Sequence, residues 1–167
     1  MELIASYIRV TSDFLMHIKS ETKEIEDVVF QNVKLEDREF DIDKAWHGIY
    51  FLLTGIADLQ KPIESLSGLA IFGGTEIGSD LGYGPLRYLE VEEVKDIANA
   101  LEIVSVREFA TRYKEIEINK FDIYPFDGQW TEEDKEYLVE NFKALVEFYR
   151  LAANQGEACC CLFLKSS

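Results

Sequence analysis

The chain opens on "ELIASYIRV", a stretch that is apolar on both sides of a two-residue period. Leu3, Ala5 and Tyr7 fall on one face and Ile4, Ile8 and Val10 on the other, which predicts a strand inside a sheet rather than at its edge. Thr11 or Ser12 then offers a cap for a short helix over "DFLMHIKS", with Phe14, Leu15 and Ile18 inward. A second short helix is predicted over "KEIEDVVFQ", and "NVKLEDREF" reads as a charged connector without a period. In "DIDKAWHGIYFLLTG", Ile42, Ala45, Trp46, Ile49, Leu52 and Leu53 recur at helical spacing. Asp41 and Asp43 suit the start of that helix and Gly55 its stop.

Residues 68–84 are rich in glycine (Gly68, Gly73, Gly74, Gly78, Gly82, Gly84) and end at Pro85, which predicts a loop with a short strand at "LAIF". "PLRYLEV" returns to extended structure. "VEEVKDIANALEIV" is an amphipathic helix with Val94, Ile97, Ala98, Leu101 and Val104 inward, and "SVREFATRY" is another, capped by Ser105. "DIYPFDGQW" interrupts the chain, with Tyr124 pushed toward extended geometry by Pro125. The longest helix runs from Thr131, which has capping-box spacing to Asp134, to Gly156, and buries Leu138, Phe142, Leu145, Tyr149 and Ala152. "ACCCLFL" is apolar on both faces and predicts a central strand. The expected fold is α+β: one domain over residues 1–167, a small mixed β-sheet packed with several helices.

Two residues of the Trp46 helix stand out against this pattern. Gly48 costs about 1 kcal/mol relative to alanine inside a helix, so it predicts another segment pressed against that turn, with the glycine loop as the candidate. His47 points about 100° away from the Trp46 stripe, where it either rims a pocket or ties down a neighbouring loop.

"DIDKAWHGIYFLLTG", "GGTEIGSDLGYGPLRYL" and "DIYP", in this order, resemble the YfbM-like family of uncharacterised bacterial proteins (domain of unknown function 1877). The likeness runs from the first strand to the last. It departs at Glu90 and Val91, where the family pattern opens the helix with Thr–Pro, and this predicts a weaker cap there. The resemblance implies a single α+β domain and brings no reaction with it.

Composition narrows the function classes. With 167 residues, 47% hydrophobic and 13% aromatic, the chain has the material for a buried core. The acidic residue at position 2 and the lack of a basic leader do not read as a signal peptide, and the apolar runs are shorter than a membrane helix needs, so a cytoplasmic protein is expected. A formal charge of −15, from 32 acids against 17 bases, argues against nucleic acid and anionic membranes as partners. It suits solubility, and it also suits a basic protein partner.

No motif specifies a reaction. His17 and His47 lie in different elements, and Cys159, Cys160 and Cys161 are consecutive, so a strand turns the middle thiol away from its neighbours. No metal site is expected, and three free thiols fit a reducing compartment. The glycine loop lacks phosphate-binding spacing and carries Glu76 and Asp80, so no cofactor is expected either. Two classes remain. One is a non-catalytic interaction protein, in its specific form an acidic immunity-type protein that covers a basic partner. The other is a small-ligand binder or enzyme with a composite site: His47 as base, Asp80 or Glu76 as its partner, Tyr83 as donor and Arg87 as anion clamp, flanked by Trp46 and Tyr124.

Overall fold

The computed structural model describes residues 2–20, 37–125 and 129–165. The helix expected over "KEIEDVVFQ" lies outside them. The elements in chain order are β1 (Leu3–Val10), α1 (Ser12–Ser20), β2 (Glu39–Asp41), a 3-10 turn (Asp43–Ala45), α2 (Trp46–Thr54), α3 (Leu66–Phe72), β3 (Thr75–Ile77), β4 (Leu86–Leu89), α4 (Val91–Ile103), α5 (Val106–Arg112), α6 (Glu115–Ile118), α7 (Glu132–Asn154) and β5 (Ala158–Lys165). The architecture is α+β, as the periodicity implied.

The sheet has five strands in the order β2-β1-β5-β4-β3. The two strands that are apolar on both faces, β1 and β5, lie beside each other in its interior and pair over their whole length, from Leu3 opposite Lys165 to Val10 opposite Ala158. Every pairing is antiparallel, so the expected mixed sheet is corrected to an antiparallel one. Strand direction depends on how often the intervening helices carry the chain across the sheet, and side-chain periodicity does not encode that.

The two faces bury different clusters. On one, Ala5, Tyr7, Leu89, Cys159 and Cys161 pack under α2, α3, α4 and α7. On the other, Ile8, Val10, Leu86, Ala158, Cys160 and Leu162 are covered by Leu15 and Ile18 of α1. Helix α7 buries its expected stripe, Leu138, Phe142, Leu145, Tyr149 and Ala152. Phe142 stacks on Phe109 with ring centroids 4.1 Å apart. Each large apolar side chain hidden in this way contributes about 1.5–3 kcal/mol of transfer free energy.

Local chemistry sets the element ends. Ser105 accepts from the Glu108 N–H at 3.0 Å. The Thr131 N–H donates to Asp134 Oδ2 at 2.8 Å, so aspartate serves where glutamate is usual. Glu90 corrects the expectation of a weak cap: it forms a reciprocal capping box with Glu93, whose Oε1 accepts from the Glu90 N–H at 2.9 Å. Gly55 stops α2 in the left-handed conformation, φ 76°.

Other expectations are corrected. "LAIF" belongs to α3, because Ser65 accepts from the Gly68 N–H at 3.0 Å and opens a helix there. The end of the charged connector forms edge strand β2. Asp41 closes that strand, and its Oδ1 accepts from the Asp43 N–H at 2.9 Å. Asp43 itself has φ 52°, so these two acids build a turn and the α-helix starts only at Trp46. The peptide bond between Tyr124 and Pro125 is cis.

Candidate functional site

Strand β2 spans three residues and pairs with Ser6, Tyr7 and Ile8, so among the described residues no strand pairs with the start of β1 on that side. Backbone groups there need other partners. Ala5 O accepts from the Ile42 N–H at 3.1 Å. Leu3 O accepts from Trp46 Nε1–H at 3.0 Å, and the Leu3 N–H donates to Tyr124 Oη at 2.6 Å. Two aromatic side chains thus complete the edge of the sheet. Their rings also stack on each other, with centroids 5.0 Å apart.

His47 lies beside this pair, 1% exposed, with its ring 5.6 Å from that of Trp46 and nearly parallel to it. Nδ1 accepts from the Tyr124 N–H at 2.8 Å, and Nε2 lies 2.9 Å from Ala57 O. A carbonyl can only accept and an amide N–H can only donate, so the ring is neutral with its proton on Nε2. Burial lowers its pKa from the ordinary 6.5, and the Ala57 carbonyl partly offsets this.

Gly48 turns the same helix toward α7. A Cβ there would stand 2.8 and 2.9 Å from the Leu138 methyls and 3.2 Å from the Trp130 ring. Close packing at this turn was expected, but the neighbours are α7 and Trp130 and not the glycine loop.

Glu76, Asp80, Tyr83 and Arg87 sit elsewhere on β3, β4 and the turn between them. Glu76 and Arg87 are directly opposite in register and form an ion pair at 3.0 Å. Asp80 Oδ1 accepts from the Gly82 N–H at 2.6 Å and the Gly84 N–H at 3.1 Å, which fixes the turn. Tyr83 projects from its tip, 45% exposed, with Lys165 Nζ 5.4 Å from its ring centre. Gly73, at φ 78°, lets the end of α3 press on this region: a Cβ there would lie 2.9 Å from those of Arg87 and Cys161.

The seven residues singled out in the sequence therefore fall into two groups. Trp46, His47 and Tyr124 form one cluster, and Glu76, Asp80, Tyr83 and Arg87 lie together on β3, β4 and their turn, where Glu76 pairs with Arg87 and Asp80 holds the turn. Among the described residues no hydrogen bond or ion pair joins His47 to Glu76, Asp80, Tyr83 or Arg87.

Next to His47 lies a surface cavity of about 540 Å³ that the sequence did not reveal. Gly55, Ile56, Ala57, Asp58, Leu59 and Lys61 form one wall, and Phe121 and Asp122 the other. Its only sequence signals are the turn-forming segment after Gly55 and the apolar Phe121 just ahead of "DIYP". Its polar lining among the described residues is His47, Asp58, Lys61 and Asp122. Among the described residues no group of three His, Cys, Asp or Glu side chains could hold a metal ion.

A buried ion cluster was also missed. Glu157, 4% exposed, accepts from Arg9 at 2.7 Å and pairs with Arg38, tying the starts of β5 and β2 to the end of β1.

Comparison with known proteins gives a family and a fold. No curated protein matches the chain. Among solved structures, a protein of unknown function, YfbM from Escherichia coli, is similar with a TM-score of 0.73. The two are 21% identical, and the match covers 96% of this chain and 99% of that one. Among the described residues no helix is long and apolar enough to cross a membrane. The family model "Domain of unknown function (DUF1877)" matches residues 1–161, and the chain belongs to that family.

Proposed function

We propose that this protein is a non-catalytic interaction protein, acting as one unit over residues 1–167 in the cytoplasm, and that its partner is a basic protein. An immunity-type role, in which the acidic surface covers a basic target, is its most specific form. The observation that carries this reading is where the charge excess lies. Among the described bases, all but Lys61, Arg107, Lys114 and Lys165 are already in ion pairs, so the surplus carboxylates set the surface potential. They are dense where α6 meets the start of α7. Asn119 clamps Trp130 there, donating to its carbonyl at 2.8 Å and accepting from its N–H at 2.9 Å. Glu115, Glu117, Glu132, Glu133 and Glu136 are exposed around that junction; Lys120 and Lys135 pair with Glu117 and Glu132, which leaves Glu115, Glu133 and Glu136 as the excess beside Lys114. Burial and then Asp134, Glu115 and Glu132 raise the pKa of Tyr113. Such a face speeds encounter with a positively charged protein.

The alternative, a composite site of His47, Asp80 and Arg87, has less support. Both ring nitrogens of His47 are bonded to backbone, and Arg87 is paired with Glu76. The test is affinity capture from the cell that makes the protein, using the native chain and a Glu115→Lys/Glu132→Lys/Glu133→Lys variant of equal stability. The expected result is a basic polypeptide retained by the native chain alone and released by salt. Retention of nothing basic, or equal retention by both proteins, overturns the proposal.

A further inference from the structure

The walls of the 540 Å³ cavity come from segments far apart in sequence, residues 55–61 and 121–122. One side chain is bonded to both. His47 Nε2–H holds the first wall at Ala57 O, and Nδ1 holds the second through the Tyr124 N–H, two residues beyond Asp122. The two bonds respond to acid in opposite ways. The Nε2 bond uses a proton that is present in both charge states of the ring. The Nδ1 bond needs a bare lone pair, and a proton there would set N–H against N–H at 2.8 Å.

We propose that His47 is an acid-released latch: neutral, it holds both walls of the cavity, and once protonated it frees the Phe121–Tyr124 wall while keeping the Ala57 wall. Charged groups share the cavity with the ring, and burial is the larger influence on it. From residues 55–61 come Asp58 and Lys61, and from the opposite wall come Asp122 and the Tyr124 phenol, whose oxygen is turned toward the Leu3 N–H. Helix α2 contributes no charged side chain between Trp46 and Thr54. The two carboxylates against one ammonium favour the cation once the wall moves. Burial of the closed ring disfavours it and confines opening to acid below the ordinary 6.5.

The test is NMR on a His17→Gln chain, which leaves His47 as the single imidazole. At pH 7.5 its ring nitrogens should report the neutral Nε2–H form, and the Tyr124 amide should be protected from exchange. As the pH falls from 6.5 to 4.5, the opening equilibrium of that amide, corrected for intrinsic exchange, should rise about tenfold per unit until the closed ring titrates. The Ala57 side should keep its shifts. In His47→Asn, whose Oδ1 can take the place of Nδ1 without titrating, Tyr124 protection should not depend on pH. An Nδ1–H tautomer at pH 7.5, Tyr124 protection that is flat through the titration, or the same pH response in His47→Asn would each overturn the latch. The tautomer and the Tyr124 profile are read in the His17→Gln chain alone, so the test stands even where His47→Asn fails to fold.

Discussion

Replacing Gly48 by alanine sets two effects of known size against each other. Alanine is favoured over glycine by about 1 kcal/mol in a helix interior, so propensity alone predicts a more stable protein. Packing predicts the reverse. The new methyl would stand 2.8 and 2.9 Å from both methyls of Leu138, a side chain with no exposed surface, and 3.2 Å from the Trp130 ring. Leu138 cannot swing into solvent, and Trp130 is 7% exposed and clamped by Asn119, so the space must come from moving α7 or α2. Overpacking of this kind costs about 1–3 kcal/mol, and the net effect of Gly48→Ala is a loss of about 0–2 kcal/mol. Gly48→Leu adds more buried volume at the same point and should cost over about 3 kcal/mol or prevent folding.

Urea denaturation provides the measurement, with the midpoint read at constant slope. A double-mutant cycle with Leu138→Ala isolates the contact. Leu138→Ala alone removes buried volume and should cost about 2–5 kcal/mol, but in the alanine-48 background part of that cavity is filled. The two substitutions should therefore be less damaging together than their sum, by about 1 kcal/mol. A Gly48→Ala protein more stable than the native chain by the full propensity gain, with additive effects in the cycle, would refute the packing argument.

The other predictions follow from single bonds. Trp46→Phe trades the indole for a smaller phenyl ring and leaves Leu3 O without the Nε1–H donor, and should cost about 1–3 kcal/mol in thermal or urea unfolding. Glu157→Gln removes the charge between Arg9 and Arg38 and should cost about 3–5 kcal/mol, whereas Glu76→Gln, in an exposed pair with Arg87, should cost under about 1 kcal/mol. Native protein should react with thiol reagents only on unfolding, since Cys159, Cys160 and Cys161 are buried and burial pushes the Cys160 thiol up to about 12. Because burial lowers the folded-state pKa of His47, the unfolded chain takes up the proton first. Stability should be complete above about pH 6.5 and decline as the pH falls toward the folded-state pKa, and His47→Asn should remove that slope in urea midpoints.

Much of this fold is local chemistry, and that part was legible. The two-sided apolar runs at Leu3–Val10 and Ala158–Leu164 could only be interior strands, and the Ser105 cap needs neighbours within three residues. What failed to show depends on distant partners. A short apolar run such as "LAIF" has no period of its own, and the preceding Ser65 decides that it is helical. Strand β2 hides in charged residues because an edge strand need not be apolar. The site was legible as residues and not as an arrangement. Trp46, His47 and Tyr124 were each flagged, but nothing local shows that an amide 77 positions on would donate to His47. Nothing local separates them from Arg87, whose partner is fixed by strand register.

The segments that carried the family resemblance can now be assigned physical work. Trp46 and Tyr124 finish the exposed edge of β1, His47 binds two loops to α2, Gly48 admits Leu138, and the Asp80 carboxylate holds the Gly82–Gly84 turn. These are constraints of this fold. Residues occupied by packing give no information on a ligand. The carboxylates at the α6–α7 junction have the opposite character: they are exposed and stabilise little beyond the start of a helix. Stability and partner binding should therefore separate by position in this protein. Changes at Trp46 or Gly48 should lower both together, because an unfolded chain binds nothing. Reversal of Glu115, Glu132 and Glu133 should weaken binding while the unfolding midpoint moves by less than about 1 kcal/mol, and equal losses of stability at both sets of positions would show that the acidic junction is also part of the packing.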